Sequence, residues 1–187
     1  MTLKTSNKPN NINPLNPNGF SFAFARIPNI NYFVQSINIP DLTLGEVVQA
    51  TPLSDAYIPG EKLVYGVCNL EFIVDEDMEN YLALYRWIVA LGKPRNYEQY
   101  LNFPTTDTEA YKANLKELAK NYSDGTLLIL NNNNGISKTI TFKDMFPTGL
   151  SSMIFDSKNT DVTYITNSVT LRYSYFTIQS PTSPTAY

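Results

Sequence analysis

The stretch Leu70-Glu-Phe-Ile-Val74 alternates as a β-strand does, stops at the acidic cluster Asp75-Glu-Asp77, and gives way to an amphipathic segment running through Trp87. A change of period from two to about 3.6 inside one continuous segment joins a strand directly to a helix. Asp75 is placed to cap that helix, and Glu76, Asp77 and Glu79 put negative charge at the positive end of its dipole. Met78, Leu82, Tyr85 and Val89 form an apolar stripe, widened by Tyr81, Leu84, Ile88 and Leu91, and Gly92 with Pro94 supplies a stop. The spacing therefore predicts a helix over 75–91 whose Met78-Leu82-Tyr85-Val89 face is covered by sheet.

The rest of the chain reads as sheet. Its 187 residues fit one domain with a sizeable core, and 13% aromatic residues with 12 prolines favour strands and turns over a helical bundle. The reading is of a mainly β (β+α) chain: residues 1–19 form an Asn/Pro-rich extended arm, 20–179 a β domain with an insert at 93–122, and 180–187 a flexible tail. Phe20 to Arg26 alternates strictly, Asn31 to Ile39 is a second strand, Glu46 to Ala50 a short one, and Lys62 to Val74 the longest. Between them Thr51 to Glu61 is a polar excursion closed by Pro59-Gly60. Thr106-Asp-Thr-Glu109 has capping-box spacing, which predicts a peripheral helix over 107–122. Gly125 to Leu130 and Ser137 to Lys143 form a hairpin through Asn131-Asn-Asn-Asn-Gly135, and strands follow at Leu150 to Phe155 and Val162 to Gln179.

Chemistry is poorly provided for. The chain has no histidine and a single cysteine, Cys68, inside an apolar strand, so it lacks the commonest general base, the commonest transition-metal ligand and any thiolate cluster. Asp75-Glu76-Asp77 is explained by helix capping, and Asp41, Asp55 and Asp124 by turns. No catalytic residue, cofactor-binding residue or metal site is expected. A net charge of −3 without a basic patch argues against a protein that grips nucleic acid. The first residues lack the apolar core of a signal peptide, and no run approaches the roughly 20 apolar residues of a membrane span, so a soluble chain without a membrane anchor is expected.

The strand ending Ile39-Pro40, the turn Pro59-Gly-Glu-Lys62, the strand and helix of Leu70 to Trp87, the segment Thr141-Phe-Lys-Asp-Met-Phe-Pro147 and the terminal Val169-Thr-Leu-Arg-Tyr-Ser-Tyr175 occur in an order that resembles the tail tube proteins of contractile-tailed bacteriophages. The resemblance implies a β-sandwich or half-barrel with one packed α-helix, whose strands join between subunits into a ring barrel. It further implies hexameric rings stacked into the tube through which DNA is ejected, with tail sheath and baseplate proteins as partners. The location would be the virion tail, with assembly in the host cytoplasm. DNA would pass without tight binding, which an acidic chain favours. By the same resemblance residues 46–62 are a loop reaching into a neighbouring subunit or ring, which assigns Leu53, Tyr57, Ile58, Pro59, Gly60, Glu61 and Lys62 to a subunit interface. The polar sides of two strands, Asn69, Glu71, Thr170, Arg172 and Ser174, are candidates for the lumen, or simply face solvent or a neighbour. The 93–122 insert and the arm depart from a minimal tube subunit and leave open a baseplate tube-initiator of the same fold. A carbohydrate- or protein-binding β module using the 13 Tyr for stacking is the reading from another class.

Overall fold

The computed structural model describes residues 12–92, 121–158 and 164–181. The described residues form nine strands and one long helix: β1 Phe20–Phe24, β2 Val34–Ile37, β3 Leu42–Ala50, β4 Asp55–Tyr65, β5 Cys68–Ile73, α1 Glu79–Gly92, β6 Ser123–Leu130, β7 Ile136–Leu150, β8 Thr166–Arg172 and β9 Tyr175–Gln179. Seven strands form one antiparallel sheet in the order β1-β6-β7-β8-β5-β2, with β9 also on β7, while β3 and β4 pair only with each other. The fold class is mainly β with one packed helix.

Strand β7 organises the sheet. Thr139 faces Gln179, Lys143 faces Tyr175 and Phe146 faces Arg172, so β9 and β8 run as one ladder along a single side of β7, interrupted at Tyr173-Ser174. On its other side β6 pairs with the first half of β7, from Leu130 opposite Ile136 to Gly125 opposite Phe142. Asp144, at φ 55°, marks the bend between the halves. There Lys143 bonds to the Asp124 carboxylate, which holds the ammonium pKa above its ordinary value. The hairpin turn uses Asn131 as an internal acceptor, its Oδ1 taking the amides of Asn133 (3.0 Å) and Gly135 (2.8 Å). Asn134, rather than Gly135, takes the positive φ of 58°.

Alternation in β1, β5 and β8 sends Phe22, Phe24, Leu70, Phe72, Val169 and Leu171 into the core. The predicted 31–39 strand begins later, because Pro28 starts a 3-10 turn over Pro28–Tyr32. The predicted 62–74 strand divides at Gly66-Val67, its first part belonging to the β3–β4 pair. Leu150 ends β7, and 151–156 is irregular rather than a strand. Of the predicted 107–122 helix only Asn121, which is helical, and Tyr122 fall within the described residues. Most of the arm and of the tail likewise lie outside them.

Helix α1 corrects the predicted phase. It starts at Glu79, after Met78 in a left-handed conformation (φ 54°), so Asp75 is not its cap residue. The fully buried Asn80 makes the junction instead, donating to the Ile73 carbonyl (2.8 Å) and accepting from the Tyr81 amide (2.7 Å), while Asp75 Oδ1 accepts from the Asn80 amide (3.3 Å). The inward face is Asn80, Leu84, Trp87 and Ala90. Leu82 (36% exposed) and Tyr85 (51%) point outward, about 180° away at 100° per residue. Trp87 lies edge-on to Phe24, donates to the Asn121 carbonyl (3.3 Å), and carries the Arg26 guanidinium 5.1 Å from a ring centre.

Candidate assembly surfaces

Strands β3 and β4 project as a two-stranded arm. Every residue of β3 is exposed, and in β4 only Gly60 and Tyr65 are less so. The region read from sequence as a polar excursion is thus the outer part of a longer ladder, from Leu42 opposite Tyr65 to Ala50 opposite Asp55. An isolated hairpin gains little stability from its own contacts. What makes this one unusual is its composition, for Val47 lies opposite Ile58 on one side and Val48 opposite Tyr57 on the other. Both faces therefore carry an apolar pair at this level, as in strands that end up covered on both sides. Leu53, at the turn, is 99% exposed.

The arm is bent in its middle and anchored at its root. The register shifts between Leu44 and Glu46, and at this bulge Gly60 crosses Gly45 so closely that a Cβ on Gly60 would lie 2.6 Å from the Gly45 carbonyl oxygen. At the root the Gly66 amide donates to the Asp41 carbonyl (3.0 Å). Tyr65 packs against Tyr173 and Phe176, with ring centres 5.9 and 5.7 Å apart, tying the arm to the core. Burial pushes the pKa of both Cys68 and Tyr173 up to about 12, and the Tyr173 hydroxyl has no hydrogen-bond partner among the described residues. Such a thiol is a packed apolar group, not a nucleophile.

The arm carries all the predicted interface positions: Leu53 at its tip, and Tyr57, Ile58, Pro59, Gly60, Glu61 and Lys62 along β4. The candidate lumen residues gather elsewhere. Asn69 pairs with Thr170, whose Oγ1 donates to Asn69 Oδ1 (3.1 Å), and Glu71 accepts from Ser36 Oγ (3.1 Å) on β2. With the exposed Arg172 they form one outward polar face of β2, β5 and β8, while Ser174 sits at the interruption before β9, its amide donating to the Lys143 carbonyl (3.0 Å). Sequence reasoning missed a second apolar exposure at the Ile73 end of β5, where Tyr32 (88%) and Tyr164 (75%) stand in solvent. Tyr32 follows a Pro-Asn turn and carries no periodic signal.

Among the described residues no group of three His, Cys, Asp or Glu converges on a metal position, and no helix is long and apolar enough to cross a membrane. The chain matches no protein-family model, and no curated protein matches it in sequence. Solved structures do match. A chain of the cap that terminates the anti-feeding prophage tube superposes with a TM-score of 0.61 at 15% identity, over 96% of this chain and 99% of that one. The fold is that of chains from contractile injection systems. A chain of the anti-feeding prophage baseplate superposes at 0.56 with 17% identity (86% and 91% covered). A chain of the sheath–tube complex of an extracellular contractile injection system, PVC, does so at 0.56 with 18% identity (89% and 92% covered). The superpositions cover 86–96% of this chain and 91–99% of the others.

Proposed function

We propose that the protein is a structural subunit of a tail tube, assembling as hexameric rings whose sheets join into a barrel and which stack around a central channel. The observation that carries this reading is the β3–β4 arm, exposed along its length and carrying apolar pairs on both faces at Val47–Ile58 and Val48–Tyr57, on a body with the fold of contractile-injection chains. Exposed apolar surface of this kind marks a contact site. Sheet strands β1 and β2, at the two ends of the strand order, are edges that ring closure would pair. The baseplate chain of similar fold comes from a 6-fold symmetrised assembly, which supports the hexamer.

In this arrangement Leu53 and Tyr57 to Lys62 are buried against neighbouring copies, and the Asn69, Glu71, Thr170, Arg172 and Ser174 side of the sheet lines the channel. The role is structural rather than enzymatic. Sheath and baseplate proteins are the partners, in a bacteriophage tail whose tube conducts DNA, and the subunit is made in the host cytoplasm and resides in the virion. A net charge of −3 suits a wall that phosphate slides past. A second reading, a ring used once at an end of the tube, is supported by the likeness to baseplate and cap chains. Negative-stain microscopy of the purified protein tests both: long tubes support the repeating subunit, single or capped rings the terminal one, and persistent monomers at high concentration would refute both.

A further inference from the structure

Two Asn-Gly dipeptides, Asn18-Gly19 and Asn134-Gly135, lie at neighbouring turns. The first leads into β1 and the second closes the β6–β7 hairpin, and the Leu130 amide donates to the Gly19 carbonyl (2.8 Å) between them. Asn18 and Asn134 are both exposed. A glycine after asparagine has no side chain to shield its amide, so the nitrogen can approach the asparagine carboxamide carbon. The attack forms a bond from the glycine nitrogen to Cγ and breaks the Cγ–Nδ2 bond. Nδ2 departs as ammonia with the glycine N–H proton, leaving a five-membered succinimide. Water then opens the ring to aspartate or to its β-linked isomer, which carries one extra carbon in the backbone.

The fold holds the two attacking nitrogens differently. The Gly135 amide donates to Asn131 Oδ1 (2.8 Å), which also accepts from the Asn133 amide (3.0 Å). The Asn131 main chain closes the same loop, its amide donating to the Gly135 carbonyl (2.8 Å) and its carbonyl accepting from the Asn134 amide (2.9 Å). Asn134 itself sits in the left-handed region at φ 58°. Closing the succinimide eclipses the Gly135 nitrogen with the Asn134 Cβ, so the peptide must rotate out of that turn and give up its bond to Asn131. At the other site the Gly19 amide makes a longer bond, to the Asn16 carbonyl (3.3 Å), and Asn18 lies outside the left-handed region.

We propose that Asn18 and Asn134 are sites of spontaneous deamidation and that the Asn131 carboxamide locks the second, so that folding retards reaction at Asn134 more than at Asn18. The lock guards a register. Leu130 faces Ile136 across the hairpin turn, and an extra backbone carbon at position 134 would disrupt the loop bonds that fix this pairing. At position 18 the same carbon falls in the exposed turn before β1.

The test is incubation of the full-length protein at mildly alkaline pH, in buffer and in guanidinium chloride, with aspartate and its isomer at each site quantified by peptide-mapping mass spectrometry. Against its own unfolded rate, native Asn134 should slow roughly two- to tenfold, the factor carried by one net hydrogen bond. Asn18 should slow less. Asn131→Ala should restore the lost factor at Asn134 and leave Asn18 unchanged, whereas Asn131→Asp, which keeps an acceptor, should stay as slow as the native sequence. Equal native and unfolded rates at Asn134, retardation that survives Asn131→Ala, or fast reaction at Asn134 in a folded Asn131→Asp protein would overturn the proposal. If Asn131→Ala does not fold, the native-against-unfolded comparison and Asn131→Asp decide it between them.

Discussion

Two leucines on one helix give the sharpest test of how α1 packs. Leu84 is fully buried on the inward face beside Trp87, whereas Leu82, two residues earlier, is 36% exposed on the opposite face. Changing either to alanine alters helix propensity by the same small amount, so the difference between the two variants isolates burial. Leu84→Ala removes a side chain from a close-packed site and leaves a cavity, at a cost of about 2–5 kcal/mol. Leu82→Ala removes one that already meets water and should cost less than about 1 kcal/mol. Urea titrations of monomeric protein, followed by far-UV circular dichroism and by Trp87 fluorescence, would measure both. Equal losses, or a larger loss at Leu82, would mean that the stripe of Met78, Leu82, Tyr85 and Val89 faces the sheet after all.

Gly60→Val places a side chain against the Gly45 carbonyl, where a Cβ alone would come within 2.6 Å. Rings or tubes should be lost in micrographs while the melting curve of the body is kept, because the arm adds little to the core. Deleting Thr51 to Tyr57 should have the same outcome, and normal tubes from either variant would remove the arm from the assembly. Cys68 and Tyr173 are both raised to about 12 in the fold from ordinary values of 9.0 and 10.0. The unfolded chain therefore loses these protons first, and stability should be full below about pH 9 and fall as pH rises towards 12, read as a declining urea midpoint that Cys68→Ala makes shallower. Duplex DNA at about 0.15 M salt should show no sub-micromolar binding in a filter or gel-shift assay, since even nonspecific binders need several phosphate contacts.

Where one face of a strand is buried and the other is wet, the sequence was readable. Phe22 and Phe24 in β1, and Val169 and Leu171 in β8, alternate with exposed or half-exposed residues and lie where their period puts them. The Asn131–Gly135 hairpin was legible for a local reason, since Asn tolerates the left-handed conformation the turn needs. The phase of α1 was not legible, because apolar residues cover most of its circumference from Tyr81 to Leu91 and several stripes fit equally well. The deciding residue is Asn80, a polar side chain whose burial follows from its bonds to Ile73 and Tyr81, which no periodicity reports. The 46–62 region reads in sequence as a protruding contact loop with a short strand at Glu46 to Ala50, but its pairing into a long ladder was not legible, because Val47-Val48 and Tyr57-Ile58 do not alternate. A strand apolar on both faces lacks the period-two signal, and the surfaces proposed to cover it belong to other copies of the chain.

The central claim is that the β3–β4 arm is an assembly element, and cryo-electron microscopy of the concentrated protein, reconstructed to side-chain resolution, tests it most directly. The account predicts rings in which Val47, Val48, Tyr57 and Ile58 are covered on both faces of the arm by neighbouring copies and the sheet continues from one subunit to the next. A particle in which the arm lies free in solvent, or in which rings form through other surfaces with Leu53 and Tyr57 still exposed, would contradict it.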